Sequence, residues 1–441
     1  MEKFIIQGGK RLNGSVRLGG AKNVSFKVMI AALLANGQSR LLNIPQISDV
    51  EITRKIITHL GGKIRSSGER TLFIETTSIK GHEIPQKFGN QSRASTMFVG
   101  PLLARFKTAI LPLPGGDNIG RRPLERHVEG LKALGAKIDF DGKKMRVTTK
   151  ELRGGRYRFA KNTHTGTETL VMAAVLAKGK TILENVALEP EVDDLISCLV
   201  KMGAKIHRKP DRKIVIEGVK HLKPVIHKIM PDRNEAVSYA CAAVASKGDI
   251  IVENVKKEHL TAFLQKYEQA GGGFEVGDFG IRFFYKRPLI AVQVTTAPHP
   301  GFMTDWQPLW AVVATQAMGQ STIHETVHAQ RFQYVPDLLK MGARIKLYSP
   351  RLSHPQDFYN FNPFNDRPEY HHAIRISGPT PLHGYDLSVH DLRAGATLVL
   401  AALIADGTTT LTGVDLIDRG YENLDGRLMD LGATIRRTQE S

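Results

Sequence analysis

In KMGAKI, residues 201–206, an amphipathic helix ends on a glycine and a strand begins. A glycine there serves as a helix C-cap, because the left-handed conformation costs it little. The same junction recurs as HLGGKI around Gly61, ALGAKI around Gly135, QAGGGF around Gly271, KMGARI around Gly342 and DLGATI around Gly432. Counting Gly203, that makes six copies at intervals of about 70 residues, apart from a last interval of 90. Such a period is the mark of a repeated supersecondary unit.

A second phrase falls midway between these junctions: an Ala-rich helix, a turn and a β-branched strand. It reads AALLANGQSRLLNI, PLLARFKTAILPL, AAVLAKGKTILENV, AAVASKGDIIVENV, VVATQAMGQSTIHETV and AALIADGTTTLTGV. Ala-rich helices pack closely, and the strands that follow have high β-propensity. Each unit thus alternates two helices with short strands, in a βαβαββ-like order. Six units in 441 residues predict two domains of three units each, with the Ala-rich helices central and the sheets outside. The strand-like segments KFIIQGG and SVRLGG precede the first Ala-rich helix and are expected to complete the last repeat, pairing with the C-terminal domain. The expected division is residues 22–231 as one domain, and 1–21 with 232–441 as the other. The cleft between them is the expected ligand site, as such clefts often are.

The rest of the composition narrows the class. Hydrophobic residues at 41% and charged residues at 24% describe a globular chain. The opening MEKFIIQGGKRLNG has no apolar run that suggests a leader, and no segment approaches 18 apolar residues, so a cytoplasmic protein without a membrane span is expected. Cys198 and Cys241 sit in apolar helical contexts and read as core residues. A net charge of +18 favours anionic partners, nucleic acid or a phosphorylated small molecule. The 61 Lys and Arg are spread along the chain and aromatics are only 7%, without the interleaving a nucleic-acid groove uses. A basic repeat scaffold remains the non-catalytic alternative, but the Gly-rich and charged segments differ between repeats, as a site grafted on a scaffold would require.

Several segments carry chemistry. GGAKN, residues 19–23, puts Lys22 and Asn23 at a helix start, where N–H groups and the dipole attract anions; a plain turn is the bland alternative. LPLPGGDNIGRRPLERH, residues 111–127, reads as a Pro- and Gly-rich loop long enough to act as a lid, with Asp117 at its tip and Arg121 and Arg122 after it. An acid beside guanidiniums suits proton transfer near a bound phosphate; a solvated ion pair is the alternative. TAPHPGFMTDWQPLW places Asp305 after a Pro-rich turn, and ETVHAQRFQYVPDLL places Arg331 after a strand. DLRAGATLVLAAL places Asp391 and Arg393 at the start of an Ala-rich helix, and IDRGYENL adds Arg419 at another helix start. Arginines recurring at equivalent places predict an anion site.

KN after a Gly-rich turn, SRAS, PGGxxIGxRP, TAPHPxFxTD, RF after a strand, DLRA and IDRGYE occur in that order over nearly the whole chain. In these motifs the sequence resembles the enolpyruvyl transferases, and within them those that act on UDP-N-acetylglucosamine. The resemblance implies a two-domain inside-out α/β barrel of six repeats. The shikimate-phosphate branch shares that fold, but its Lys-Ser turn and shikimate motifs are missing here. The implied reaction moves the enolpyruvyl group of phosphoenolpyruvate to the sugar 3-hydroxyl and releases phosphate, the first committed step of peptidoglycan synthesis. It implies neither metal nor organic cofactor, and neither nucleic acid nor membrane as partner.

Carried over residue by residue, the resemblance makes Lys22, Arg122 and Arg419 ligands of the phosphoenolpyruvate phosphate, and Arg331 and Arg393 ligands of its carboxylate. Arg93, in SRAS, supports the phosphate and the loop. Asn23 and Asp305 meet the sugar, with Asp305 as base, and Asp391 lies beside the reacting carbon. Pro123, Leu124, Val327 and His164, Thr165 and Gly166, with the adjoining Thr167, fall on the sugar-nucleotide side, where Arg93 and Arg122 also reach. Asp117 is the proton donor, where the family usually has a Cys that fosfomycin alkylates. Other departures are NTHTGTE for a Ser-Val-Gly-Ala-Thr type of segment, Glu125 for an Asp, and NVSFKVM for Asn-Ala-Ala-Leu-Pro.

The long last interval marks an insert at Ser349–His372, between KLY and AIRI. Its four prolines predict an irregular excursion without internal helix, packed on the C-terminal domain away from the chemistry.

Overall fold

The computed structural model describes residues 2–89, 91–113, 124–367 and 369–439, the side chains of Arg93 and Asn365 excepted. Within them the chain forms two compact units, residues 2–18 with 232–439 and residues 19–113 with 124–231. Hydrogen bonding of the first strands explains the split. Strand Glu2–Gln7 runs antiparallel between Thr408–Thr412 and Thr434–Gln439. Strand Asn13–Arg17 lies parallel to Asp249–Glu253. The chain then enters the other unit at Gly20, which bridges Pro231. A side chain at Gly20 would meet the Asn43 carbonyl oxygen at 1.9 Å, so only glycine passes here.

Each unit holds three small sheets among the described residues. The repeat is clearest in Gln293–Thr295, Gly319–His324, Arg344–Tyr348 and Ala373–Gly378. The first two strands pair in parallel and the rest antiparallel, with helices Gln307–Thr315 and Val335–Lys340 between them in the chain. That is the βαβαββ order read from the sequence. Burial alternates along the strands, so one sheet face meets the core and the other stays exposed.

The Ala-rich segments form six buried helices: α1 (Lys22–Ala31), α2 (Val99–Phe106), α3 (His164–Ala174), α4 (Arg233–Ala245), α5 (Gln307–Thr315) and α6 (Leu392–Ile404). Every residue of α4 and of α5 is buried; past its polar first turn α4 is, like α5, largely apolar on every side, as a central helix is. α4, α5 and α6 pack on one another within one core, and α2 on α3 within the other. Outer helices end on Gly61, Gly135, Gly203, Gly271, Gly342 and Gly432, each at a φ between +88° and +112°. The repeated junction is therefore a set of six left-handed caps.

The insert differs from expectation. It contains a helical turn, Pro355–Phe358, and a 3₁₀ turn, Pro363–Asn365, each started by a proline. Proline is excluded from helix interiors but suits the first position, where no N–H is needed. Nor does the insert stand off from the candidate site: Asn360 N–H donates to the Thr326 carbonyl, and Glu325 N–H to that of His372. Tyr359 packs between Phe361 and His324, covered from solvent.

Cys198 and Cys241 are buried free thiols, and burial pushes Cys198 up to about 12 and Cys241 up as well, so neither is nucleophilic. Among the described residues no helix is long and apolar enough to cross a membrane, and no cluster of His, Cys, Asp and Glu is placed to hold a metal ion.

Candidate functional site

The described candidate residues fall into two groups of side chains, one in each unit. The first lies at the N-terminal ends of α1 and α3. Ala21 gives α1 no side-chain cap, and a helix N-terminus of that kind favours negative charge. Lys22, in the first turn, is buried with its ammonium 2.7 Å from Asp49 Oδ2, and Asn23 beside it is half-buried. At the head of α3, the Thr163 hydroxyl accepts from Gly166 N–H at 3.2 Å. His164 and Thr165 sit half-buried in the open first turn, and Gly166 is buried. The Thr167 hydroxyl donates to the Thr163 carbonyl at 2.8 Å and accepts from Ala187 N–H at 3.1 Å, tying α3 to the next strand's end. Leu124, half-buried, starts the helix Glu125–Ala133.

One turn into α1, Lys27 points inward. It is 1% exposed, and its ammonium lies 2.5 Å from Glu168 Oε2 and 3.1 Å from His164 Nε2. Glu168, fully buried on α3, also faces the imidazole at 3.2 Å. Burial works against a charged His164; the Glu168 carboxylate more than offsets it, so the ring titrates above its ordinary value.

The second group surrounds Asp305. Arg331 donates to Asp305 Oδ1 at 2.7 Å, and the Arg393 guanidinium is 3.8 Å from Oδ2. Both guanidiniums are nearly buried, with side chains 4% and 7% exposed, whereas Asp305 keeps 24%. Arg331 Nε has no hydrogen-bond partner among the described residues. Asp391 caps α6, accepting from the N–H groups of Arg393 at 2.8 Å and Ala394 at 3.0 Å, which fixes where Arg393 departs from the helix. The Arg393 side chain donates to the Tyr421 hydroxyl at 3.0 Å, itself 2.7 Å from Ser238 Oγ. Burial opposes the Arg393 charge; Tyr421, Asp305 and Asp232 outweigh it and hold the cation. Two buried cations against one partly exposed carboxylate leave an excess of positive charge, the complement of a small dianion.

A third carboxylate stiffens this group. Buried Glu325 accepts from Thr304 Oγ at 2.9 Å, Val327 N–H at 2.7 Å and His328 N–H at 3.0 Å. It therefore ties the residue before Asp305 to Val327, which is half-buried. Arg419 ends the 3₁₀ turn Val414–Arg419, two residues before Tyr421, and is half-buried.

The structure thus brings together Asp305, Arg331, Arg393 and Asp391, and separately Lys22 and Asn23 on α1 and His164, Thr165 and Gly166 on α3. Asp117, Arg121, Arg122 and Pro123 lie outside the described residues, as does the Arg93 side chain. Sequence reading missed Asp49, Lys27, Glu168, Glu325, Tyr421 and Ser238. Asp49 had a signal, following Ser48 at a helix start. The partners Lys27 and Glu168 had none, being far apart in the chain.

Comparison with known proteins follows the same lines. The model of the family EPSP synthase (3-phosphoshikimate 1-carboxyvinyltransferase) matches residues 6–428. A UDP-N-acetylglucosamine 1-carboxyvinyltransferase of Myxococcus xanthus is 40% identical over 99% of both chains. That of Sorangium cellulosum is 41% identical over 100% of this chain and 99% of its own. Among solved structures, the enolpyruvyl transferase NikO from Streptomyces tendae aligns with a TM-score of 0.87 at 25% identity, covering 100% of this chain and 99% of its own. EPSP synthase from Acinetobacter baumannii aligns with a TM-score of 0.74 at 19% identity over the full length of both, a likeness of fold.

Proposed function

The chain belongs to the EPSP synthase family of carboxyvinyl transferases, and from that premise we propose that it transfers the enolpyruvyl group of phosphoenolpyruvate to the 3-hydroxyl of UDP-N-acetylglucosamine. It is a transferase, and the reaction supplies peptidoglycan synthesis. The observation that carries the reading is the cluster of Asp305 with Arg331 and Arg393, two buried guanidiniums held around one carboxylate that solvent still reaches.

The chemistry assigns each group a task. Arg331 and Arg393 take the phosphoenolpyruvate carboxylate. In doing so they exchange the Asp305 carboxylate for that of the substrate, and Asp305 is freed to accept the proton of the sugar hydroxyl. The hydroxyl oxygen bonds to C2 of phosphoenolpyruvate while an acid, Asp117, delivers a proton to the C3 methylene. Loss of a methyl proton and of the C2–O–phosphate bond from this tetrahedral ketal then gives the enol ether and inorganic phosphate. Lys22, Arg93, Arg122 and Arg419 hold the phosphate, and Asp391, which fixes the first turn of α6, lies beside the reacting carbon. Asn23, Pro123, Leu124, the His164–Gly166 turn and Val327 hold the sugar nucleotide. The reading uses no metal and no cofactor.

The test is phosphate release from phosphoenolpyruvate with UDP-N-acetylglucosamine present, absent, or replaced by other sugar nucleotides and by shikimate 3-phosphate. Release that requires UDP-N-acetylglucosamine supports the proposal. Release that prefers another acceptor makes the protein a paralogue with a different product, and no release under any condition removes the catalytic reading.

A further inference from the structure

Arg393 is held in place by a neutral group. Among the described residues its guanidinium makes one hydrogen bond, from Nη1 to the Tyr421 hydroxyl at 3.0 Å. Nη2, at 3.8 Å from Asp305 Oδ2, is beyond hydrogen-bond reach. Asp305 therefore attracts the cation without fixing its orientation, and the phenol fixes it. The guanidinium carbon also lies 5.4 Å from the Tyr421 ring centroid, so the ring supports the cation as well.

The hydrogens of this contact follow from counting donors. Tyr421 is 1% exposed, and among the described residues its hydroxyl meets two groups, Arg393 and Ser238 Oγ at 2.7 Å. A guanidinium only donates, so the phenol hydrogen goes to Ser238. The Ser238 hydrogen is left for the Asn234 carbonyl, 3.1 Å away and one turn back on α4. The chain thus runs from Arg393 through Tyr421 and Ser238 to α4, and Tyr421 turns a lone pair toward the cation. Asn234 Oδ1 also accepts from the indole N–H of Trp306 at 2.9 Å, and Trp306 follows Asp305 in the chain. One turn of α4 therefore sets both the carboxylate and the guanidinium. Burial pushes the Tyr421 hydroxyl above its ordinary value against the pull of Arg393, so it stays neutral. A neutral anchor leaves the cation its full charge, whereas a carboxylate in its place would compete with an incoming anion.

We propose that Tyr421 is a positioning residue for the donor: through Tyr421 and Ser238, α4 holds the Arg393 guanidinium with its other edge toward Asp305, ready for the carboxylate of phosphoenolpyruvate. The inference rests on the functional reading above and adds to it the device that orders the carboxylate ligand in advance. An Arg393 already ordered spares the substrate that cost on binding. Once bound, the substrate carboxylate holds the guanidinium itself, so the benefit falls on KM and not on kcat.

Tyr421→Phe removes the hydroxyl and keeps the ring. It should raise the KM for phosphoenolpyruvate about tenfold, the loss expected for one hydrogen bond to a charged group, with kcat within about threefold and the KM for the sugar nucleotide within about twofold. A merely structural role would instead lower the folded fraction, and with it kcat, at unchanged KM. Ser238→Ala removes the acceptor of the phenol hydrogen and should raise the same KM by about threefold, the smaller loss of a neutral contact. In an Arg393→Ala background, Tyr421→Phe should change kcat/KM for phosphoenolpyruvate by less than about twofold, because a residue that acts through Arg393 has nothing left to act on.

A KM for phosphoenolpyruvate within about twofold of the unaltered protein in Tyr421→Phe, or a further loss of about tenfold on adding Tyr421→Phe to Arg393→Ala, overturns the proposal. If Tyr421→Phe does not fold, Ser238→Ala decides, and an unchanged KM there overturns it. Phosphate release is assayed with whichever sugar nucleotide supports it. Release with another acceptor alone therefore corrects the functional reading while the Tyr421 and Ser238 variants still judge this inference. No release with any acceptor removes the functional reading, and this inference falls with it.

Discussion

At the scale of single residues the account rests on charges placed where solvent barely reaches. Arg331→Ala and Arg393→Ala should each reduce turnover by at least about tenfold, because a charge-assisted contact carries roughly 1.5–3 kcal/mol. Thermal denaturation alongside a turnover assay checks this, and near-normal turnover in both would remove them from the site. Asp305→Asn should cost about 10²–10⁴-fold in turnover while sparing sugar-nucleotide binding by calorimetry. Loss of binding along with activity would make Asp305 a binding residue and not the base. Asp117 should leave the protein resistant to fosfomycin, since a carboxylate is a poor nucleophile beside a thiolate. Rapid, covalent loss of activity in the unaltered protein, compared over time with an Asp117→Cys variant, would show the assignment wrong. Stability has its own residue-scale signature at His164. A cation held above its ordinary value stabilises the fold fully below about pH 6.5, and that contribution is lost as pH rises through the higher folded value. Urea denaturation from pH 6 to pH 8.5 should show this slope in the unaltered protein and less of it in His164→Asn. Asp391 was legible from sequence as a helix start, since an Asp before an Ala-rich run is a common N-cap and it caps α6. Lys27 and Glu168 were not legible as partners, because a pattern read along one helix says nothing of which side chain waits on another.

At the scale of elements, the repeated glycine junction was legible because one residue type has one physical use there. All six outer-helix caps take the left-handed conformation predicted for them. Gly203, with nothing within 4 Å of an added Cβ, isolates the backbone cost from steric cost. Gly203→Ala should lower unfolding free energy by about 1–2 kcal/mol, with activity unaffected, measured by urea titration. No measurable change would mean the cap conformation is not imposed by the fold. The insert was legible in extent but not in placement. Its prolines punctuate short turns, and its anchoring depends on the carbonyls of Thr326 and His372, which no composition reveals. Tyr359, covered and stacked on Phe361, should be its anchor: Tyr359→Ala should cost about 3 kcal/mol and loosen the segment from Glu325 to Val327. Limited proteolysis within residues 349–372 reads that loosening, and an unchanged cleavage rate would contradict it.

At the scale of the whole molecule, six repeats and two units follow from a sequence period and from where the first strands find partners. Strand Glu2–Gln7 lies inside its sheet, with a neighbour on either side. Its place could be anticipated because its apolar run leads into no helix of its own. The active residues were less legible than the frame. Repetition dictates the scaffold, whereas the site is the departure from repetition, and departures are understood only once the fold shows which of them meet. Arg331 and Arg393 are far apart in the chain yet share Asp305, and that convergence carries the function assigned here. The most direct measurement of that function is a phosphorus and proton NMR time course of the purified protein with phosphoenolpyruvate and UDP-N-acetylglucosamine. The account predicts that phosphoenolpyruvate disappears in step with the growth of inorganic phosphate and of new vinyl protons on a sugar nucleotide whose diphosphate signals persist. Phosphoenolpyruvate left unconsumed, or consumed at the same rate when the sugar nucleotide is withheld, would contradict it.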